Sequence, residues 1–476
     1  MKDPLHSHAS LRETRNGSRT EPYRYGDVPK TDASQDAASQ DASQDASQDA
    51  SRQPSRASSP SHASPDMILG PISLLDCFVF CCLLAPALLW QVGPIATVLV
   101  AGRALPFLLF KLPFQLVTER FLTPPKQRAP FCQDASLFED LVIRCVRYAF
   151  AHLPPSVGRV FLSRAVAVPF KTFRELRHGQ WCRGKEWQES HEPGLDGVWI
   201  SQDLSSRHDV VVLYCHGGGF SMGTPYFYME FLVAMVSLLA ERGFHNPAVF
   251  APQYTLVPDA CYPTQADQVE RAYAAVLDRA RHEPDRVIVA GDSAGANLVL
   301  GLLLRAAAPG SPLPRPLAAL LLSPWTTLVS PLHRDTASDY LGAARLHRFG
   351  LQYAGGRGTG TGDDAARASP GRCKDPARWR RAAPAAGFFV AYGAEEVLAA
   401  EIDALVRVWA RAAVPLCVKR RPAGIHAWTV ASLFLARDRA RRLEGLEDVA
   451  TFVRHAFDEY HARGGRERKE ESTLSD

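Results

Sequence analysis

Four apolar runs punctuate the chain from residue 210 onward: Val210-Val-Val-Leu-Tyr214, Val287-Ile-Val-Ala290, Gly387-Phe-Phe-Val-Ala-Tyr392 and Pro415-Leu-Cys-Val-Lys419. Each is short and nearly free of polar residues, as a strand covered on both faces must be. Between and around them, Tyr226–Ala240, Gln265–Arg281, Ala294–Ala308 and Ala399–Ala413 repeat apolar residues at helical spacing. Strand and helix in alternation predict an α/β fold, a mostly parallel sheet with helices on both faces. Ahead of it, Leu137–Phe150 has one apolar helical face.

The front of the chain has a different pattern. No residue from Cys77 to Gly102 is charged. As a helix this stretch would run about 39 Å, longer than a hydrocarbon core of ~30 Å. Pro86 and Pro94 interrupt it, which allows a kinked span or a re-entrant or interfacial hairpin. A second apolar piece follows at Ala104–Phe110. The expectation is membrane attachment through about 77–102, the competing reading being two buried helices. Residues 1–66 are polar, with an imperfect Asp-Ala-Ser-Gln repeat. They lack the apolar content to fold alone. Translation from Met1 and from Met67 are both compatible with this pattern.

Composition narrows the class. The 476 residues carry a formal charge of only +4, with no basic stripe interleaved with aromatics, so nucleic acid is not an expected partner. Ten cysteines form no C-x-x-C pair, and neither metal nor organic cofactor is expected. The Gly-rich stretch Ala354–Gly362 contains no G-K-[ST] and reads as a flexible insertion. The charged end, 463–476, reads as disordered.

The chemistry gathers on Gly291-Asp292-Ser293-Ala294-Gly295, between an apolar run and a helical one. Strand, sharp turn and helix in that order make a nucleophile elbow that exposes the serine hydroxyl. Such a serine needs an oxyanion hole upstream, then an acid and a histidine downstream. His216-Gly217-Gly218-Gly219 follows the first strand, and Gly217, Gly218, Gly219 and Ala294 are the candidate N–H donors. After the Gly387 strand come Glu395 and Glu396; Glu396 is the chosen acid and Glu395 the alternative. His426 lies on a Pro/Gly loop behind the next strand, where the base belongs. His455 and His461 read as surface residues of a late helix.

These residues, with Tyr254-Thr-Leu-Val-Pro258-Asp-Ala-Cys-Tyr-Pro263 and Leu322-Ser-Pro-Trp325, resemble the hormone-sensitive-lipase-like branch of the α/β-hydrolases, which includes arylacetamide deacetylases and fungal steryl acetyl hydrolases. The likeness covers about Asp209 to Phe457. It implies an α/β-hydrolase fold with an N-terminal helical cap, and oxyanion donors at Gly217, Gly218 and Ala294. It implies a Ser293–His426–Glu396 triad, although the branch usually has Asp where Glu396 stands. It also implies hydrolysis or deacetylation of lipophilic esters, with amide hydrolysis, acyl transfer or a non-catalytic binding role as alternatives. The expected organisation is a tail at 1–66, a membrane anchor at 67–125, a helical cap at 126–205, a catalytic domain at 206–462 and a tail at 463–476. Membrane-bound relatives imply an endoplasmic reticulum location facing the lumen. Arg103, Lys111 and Arg120, which follow the uncharged stretch 77–102, and the absence of a glycosylation sequon beyond Asn16-Gly-Ser18 favour the cytosolic side, so the side stays open.

Overall fold

The computed structural model describes residues 68–179, 187–355 and 363–475. The tail 1–66, Met67 and residues 356–362 of the Gly-rich stretch lie outside them. Eight strands form one sheet: β1 (Trp187–Glu192), β2 (Leu195–Ser201), β3 (Val211–Cys215), β4 (Ala248–Pro252), β5 (Val287–Asp292), β6 (Ala318–Leu322), β7 (Phe388–Gly393) and β8 (Leu416–Arg421). Their order is β1-β2-β4-β3-β5-β6-β7-β8. The β1–β2 and β2–β4 pairs are antiparallel and all others parallel.

The four apolar runs became β3, β5, β7 and β8. The sheet, however, starts at Trp187, inside the region 126–205 that was expected to be helical. β1 is an edge strand of polar residues (Gln188, Glu189, Ser190, His191), so its sequence has no buried-strand signature. Gly194, at φ +73°, turns the chain from β1 into β2.

Alternation along the central strands feeds two cores. Val211, Leu213 and Cys215 of β3 point to one, and Val210, Val212 and Tyr214 to the other. The helices on the two faces are α7 (Met229–Glu241), α8 (Thr264–Arg279), α9 (Ser293–Ala306), α10 (Ala343–Ala354), α11 (Ala399–Arg411), α12 (Trp428–Leu435) and α13 (Arg439–Ser475). α8, α9 and α11 pack on the first core; α7, α12 and α13 pack on the second. Each fully buried Val or Leu contributes about 1.5–3 kcal/mol relative to exposure, so these strands are the rigid part of the molecule. α13 continues through residues 463–475, where a disordered tail was expected. Arg, Lys and Glu are good helix formers, and Arg463 pairs with Glu459 one turn back at 3.3 Å.

Six helices precede the sheet: α1 (Leu74–Gln91), α2 (Pro94–Leu122), α3 (Pro130–Asp134), α4 (Leu137–His152), α5 (Pro155–Phe161) and α6 (Arg164–Arg177). Capping boxes start two of them, Ser73 with Asp76 on α1 and Ser136 with Glu139 on α4. α1 and α2 are long and apolar enough to cross a membrane, with mean hydropathies of 1.9 and 1.8.

Candidate active site

Ser293 sits where β5 ends and α9 begins, at φ +52°. A left-handed serine costs of order 1–3 kcal/mol and persists only where its surroundings impose it. The flanking glycines impose it by letting α9 press onto β3. A Cβ on Gly295 would stand 1.9 Å from the Cys215 carbonyl oxygen, and one on Gly291 would stand 2.7 Å from the same atom. The Trp325 N–H donates to the Ser293 carbonyl at 3.0 Å, and the Asn297 amide donates to the Trp325 carbonyl at 2.9 Å. The turn is thus held from both sides. Ser293 is only 5% exposed.

The His216-Gly-Gly-Gly loop follows β3 and lies against this elbow. Gly218 and Gly219 have φ of +114° and +62°, conformations open to glycine. Neither N–H makes a hydrogen bond among the described residues. The Ala294 N–H opens α9, where helix geometry supplies no acceptor. Gly217 differs from expectation: its N–H donates to Asp292 Oδ1 at 2.8 Å. That donor is already committed, so the open donors are Gly218, Gly219 and Ala294. His216 is buried and holds the loop from inside. Its Nδ1 bonds the Gly217 carbonyl at 2.8 Å, its ring stacks on Tyr254 at 4.4 Å, and burial pushes its pKa down to about 4.

Asp292 is the hub beneath this loop, a role the sequence did not disclose. Besides Gly217 it accepts the Tyr214 hydroxyl at 2.9 Å and the Tyr228 hydroxyl at 2.8 Å. Burial still raises its pKa to about 6, against the lowering effect of those three donors.

His426 and Glu396 come together from the loops after β8 and β7. His426 is 3% exposed, and its Nδ1 lies 3.9 Å from Glu396 Oε2. Glu395 is half-buried, and its backbone is held by Gly424 and Thr336. Burial depresses the His426 pKa to about 3 and raises the Glu396 carboxyl well above the usual range, both favouring the neutral form. Ser323, directly after β6 and at φ +45°, ties the two loops together. Its hydroxyl donates to Glu396 Oε2 at 2.6 Å and accepts the Ala427 N–H at 2.9 Å. Asp339 adds a second tie, accepting the N–H groups of His426 at 3.0 Å, Val397 at 2.8 Å and Tyr340 at 2.9 Å. Asp339 had no signal in the sequence. Ser323 was visible only as part of Leu322-Ser-Pro-Trp325.

Helical side chains cover this centre. Phe150 of α4 packs on Tyr340 at 5.6 Å, and Tyr340 packs edge-on against His426 at 5.9 Å. The Phe131 N–H and an Arg147 guanidinium N–H bond the 337–338 segment beside Asp339. Phe349 of α10 would stand 2.9 Å from a Cβ on Gly219. Among the described residues no cluster of His, Cys, Asp and Glu is arranged to hold a metal ion.

A mostly parallel sheet, a left-handed serine between strand and helix, and a carboxylate and a histidine on the loops after β7 and β8 define an α/β-hydrolase. A family profile described as the alpha/beta hydrolase fold matches residues 212–430. The chain is 29% identical over 228 residues to an acetyl-hydrolase of Streptomyces hygroscopicus, covering 46% of this chain and 67% of that protein. It is 36% identical over 98 residues to neutral cholesterol ester hydrolase 1 of Rattus norvegicus, covering 19% of this chain and 22% of the relative. The crystal structure of an esterase from the bacterial hormone-sensitive lipase family superposes with a TM-score of 0.52 at 22% identity, covering 68% of this chain and 99% of that one. The chain has the α/β-hydrolase fold, is similar to esterases and acetyl-hydrolases of the hormone-sensitive-lipase-like kind, and is a carboxylic-ester hydrolase.

Proposed function

We propose that this hydrolase cleaves lipophilic carboxylic esters through an acyl-enzyme on Ser293, with His426 as base and Glu396 as the acid that orients it. The observation that carries this reading is the left-handed Ser293 beside glycine N–H groups that have no other acceptor. His426 takes the Ser293 hydroxyl proton as Oγ attacks the ester carbonyl. The tetrahedral oxyanion collects the N–H groups of Gly218, Gly219 and Ala294. The C–O bond breaks, and His426 returns the proton to the leaving alcohol. Water then attacks the acyl-enzyme, giving its proton to His426; the carboxylic acid leaves and Ser293 recovers its proton. Glu396, with Nδ1 of His426 turned toward it, stabilises the imidazolium formed in each half.

The ester class rests on two supports. Apolar side chains, Phe150, Tyr340 and Phe349, surround the centre. The relatives include an acetyl-hydrolase and a cholesterol ester hydrolase by name. We read the chain as an apolar membrane-facing region to about residue 125, a helical cover over the site from about 126, and the hydrolase sheet behind it. The apolar α1 and α2 support membrane association. Replacing Ser293 by Ala is expected to abolish p-nitrophenyl acetate hydrolysis and fluorophosphonate labelling while the thermal transition persists. Wild-type turnover in that variant would overturn the mechanism.

A further inference from the structure

We propose that α1 and α2 together form one in-plane docking face for an anionic phospholipid surface, seated in a single leaflet instead of crossing the bilayer. The inference rests on the membrane association proposed above and specifies its geometry.

One flank of α1 is fastened to the folded body along its length. At its start Asp76 is fully buried and paired with Arg177 at 2.8 Å and with buried Arg174 at 3.6 Å. Farther along, Phe80 packs on Phe161 and Phe170 at 5.6 and 5.1 Å, and Leu84 joins Val160 and Val166 in a small core. α2 is fastened in the same manner to α4. The Tyr148 hydroxyl donates to the Arg103 carbonyl at 2.9 Å, and Phe107 stacks on Tyr148 at 4.2 Å. Glu119 pairs with Arg144 at 2.6 Å, and Arg120 bonds Asp140 and the Ala135 carbonyl. The supporting helices α4–α6 carry their own charges, among them Arg144, Arg164 and Lys171. Passing α1 or α2 through hydrocarbon would pull these charges in or tear the pairs open, and both are costly.

The opposite flank is bare and apolar. Phe78, Trp90, Ile95, Phe110, Phe114 and Leu122 are exposed, Trp90 by 90% and Phe110 by 73%. Two features of the charge pattern select the occupant. Arg103, Lys111 and Lys126 are exposed beside this flank, and Glu119 is the sole acidic residue from 94 to 129. Such a basic rim attracts anionic headgroups and repels a second copy of itself. Trp90, at the end of α1, has the amphipathic ring that settles at headgroup level.

The test uses the full chain with vesicles of phosphatidylcholine, with and without phosphatidylserine. Flotation is expected with both, and stronger with phosphatidylserine. The double variant Phe110→Asp, Phe114→Asp is expected to lose at least tenfold in vesicle binding while p-nitrophenyl acetate hydrolysis in solution stays unchanged. Topology is read with a membrane-impermeant maleimide on a Gln91→Cys variant in which Cys77, Cys81 and Cys82 are serine. Exposed Cys261 reports the side of the catalytic domain. Position 91 is expected to label together with Cys261. Labelling of position 91 only after vesicle lysis would mean a spanning hairpin and overturn the in-plane proposal while leaving membrane association standing. A wild-type protein that does not float, or a dimer that buries this face in solution, would overturn both. Neither result bears on Ser293 chemistry, which the soluble ester reports separately.

Discussion

Nδ1 of His426 stands 3.9 Å from Oε2 of Glu396, about 1 Å beyond a hydrogen bond. Nδ1 and the other carboxyl oxygen, Oε1, are both buried with no hydrogen-bond partner. A buried orphan polar atom costs about 1–3 kcal/mol. Closing the gap to Oε2 would satisfy Nδ1, so the resting site is biased toward the closed pair that an imidazolium requires. Catalytic hydrogen bonds that tighten only with substrate behave this way.

The pair also separates the two neighbouring glutamates. Replacing Glu396 by Gln is expected to lower kcat by about 10⁴-fold, the scale seen when a triad acid is neutralised. Glu395→Gln should stay within a few-fold of wild type, because its side chain is half-buried and the ion pair of His426 is with Glu396. Steady-state kinetics on p-nitrophenyl acetate decides between them; equal losses would undo the assignment.

Asp339 acts through backbone. Its two oxygens hold the N–H groups of His426, Val397 and Tyr340, and Asp339→Ala leaves all three donors unsatisfied, those of His426 and Val397 buried. At about 1–3 kcal/mol each, the expected loss is at least 3 kcal/mol in urea unfolding, together with lower kcat. An unchanged unfolding midpoint would mean that the loops keep their positions without it.

Asp292 has a pKa near 6 and binds the Gly217 N–H most strongly as the anion. Below about pH 6 it takes up a proton, and the oxyanion loop loses its charged anchor. The kcat profile of the wild type should therefore fall through an inflection near that pH. Asp292→Asn should lack the inflection and turn over about 10–100-fold more slowly at pH 8, less than the about 10²–10³ for outright loss of one oxyanion donor, because the loop is loosened and no donor is removed. A variant with the same inflection would assign it to another group.

His333 offers a stability test outside the centre. Burial first, and then its neighbour His347, lower its pKa to about 4. Between pH 6.5 and about 4 the unfolded chain binds a proton that the folded chain refuses, so this contribution is complete above pH 6.5 and is lost as pH falls. Asp292 and Asp339, raised to about 6, act in the opposite sense over the same range. Removing the histidine as His333→Gln should make the Tm difference from wild type more favourable at about pH 4.5 than at pH 7.5. The reverse trend would mean that His333 is protonated in the folded protein.

What the sequence disclosed and what it hid differ in range. The proposed nucleophile Ser293, the glycine loop and the proposed base His426 stand out in the sequence because each sits in a local strand-turn pattern. The preference for Glu396 over Glu395 in the proposed triad rests on burial, which adjacent residues of one type do not disclose. Ser323 and Asp339 act on backbone groups 104 and 87 residues away, and no local period encodes such a contact. Gly217 was taken as a donor because an N–H in a glycine run looks free; its acceptor, Asp292, lies 75 residues on. β1 was missed because an edge strand with one wet side can be polar throughout.

The stack of Phe107 on Tyr148 has a practical consequence. α2 lends Phe107 to α4, and two residues along α4 Phe150 leans on Tyr340, the ring beside His426. An amphiphile that coats α2 is therefore linked to His426 through these three ring contacts and the α4 backbone between Tyr148 and Phe150. Detergent is therefore a condition to hold fixed when rate constants of this enzyme are compared.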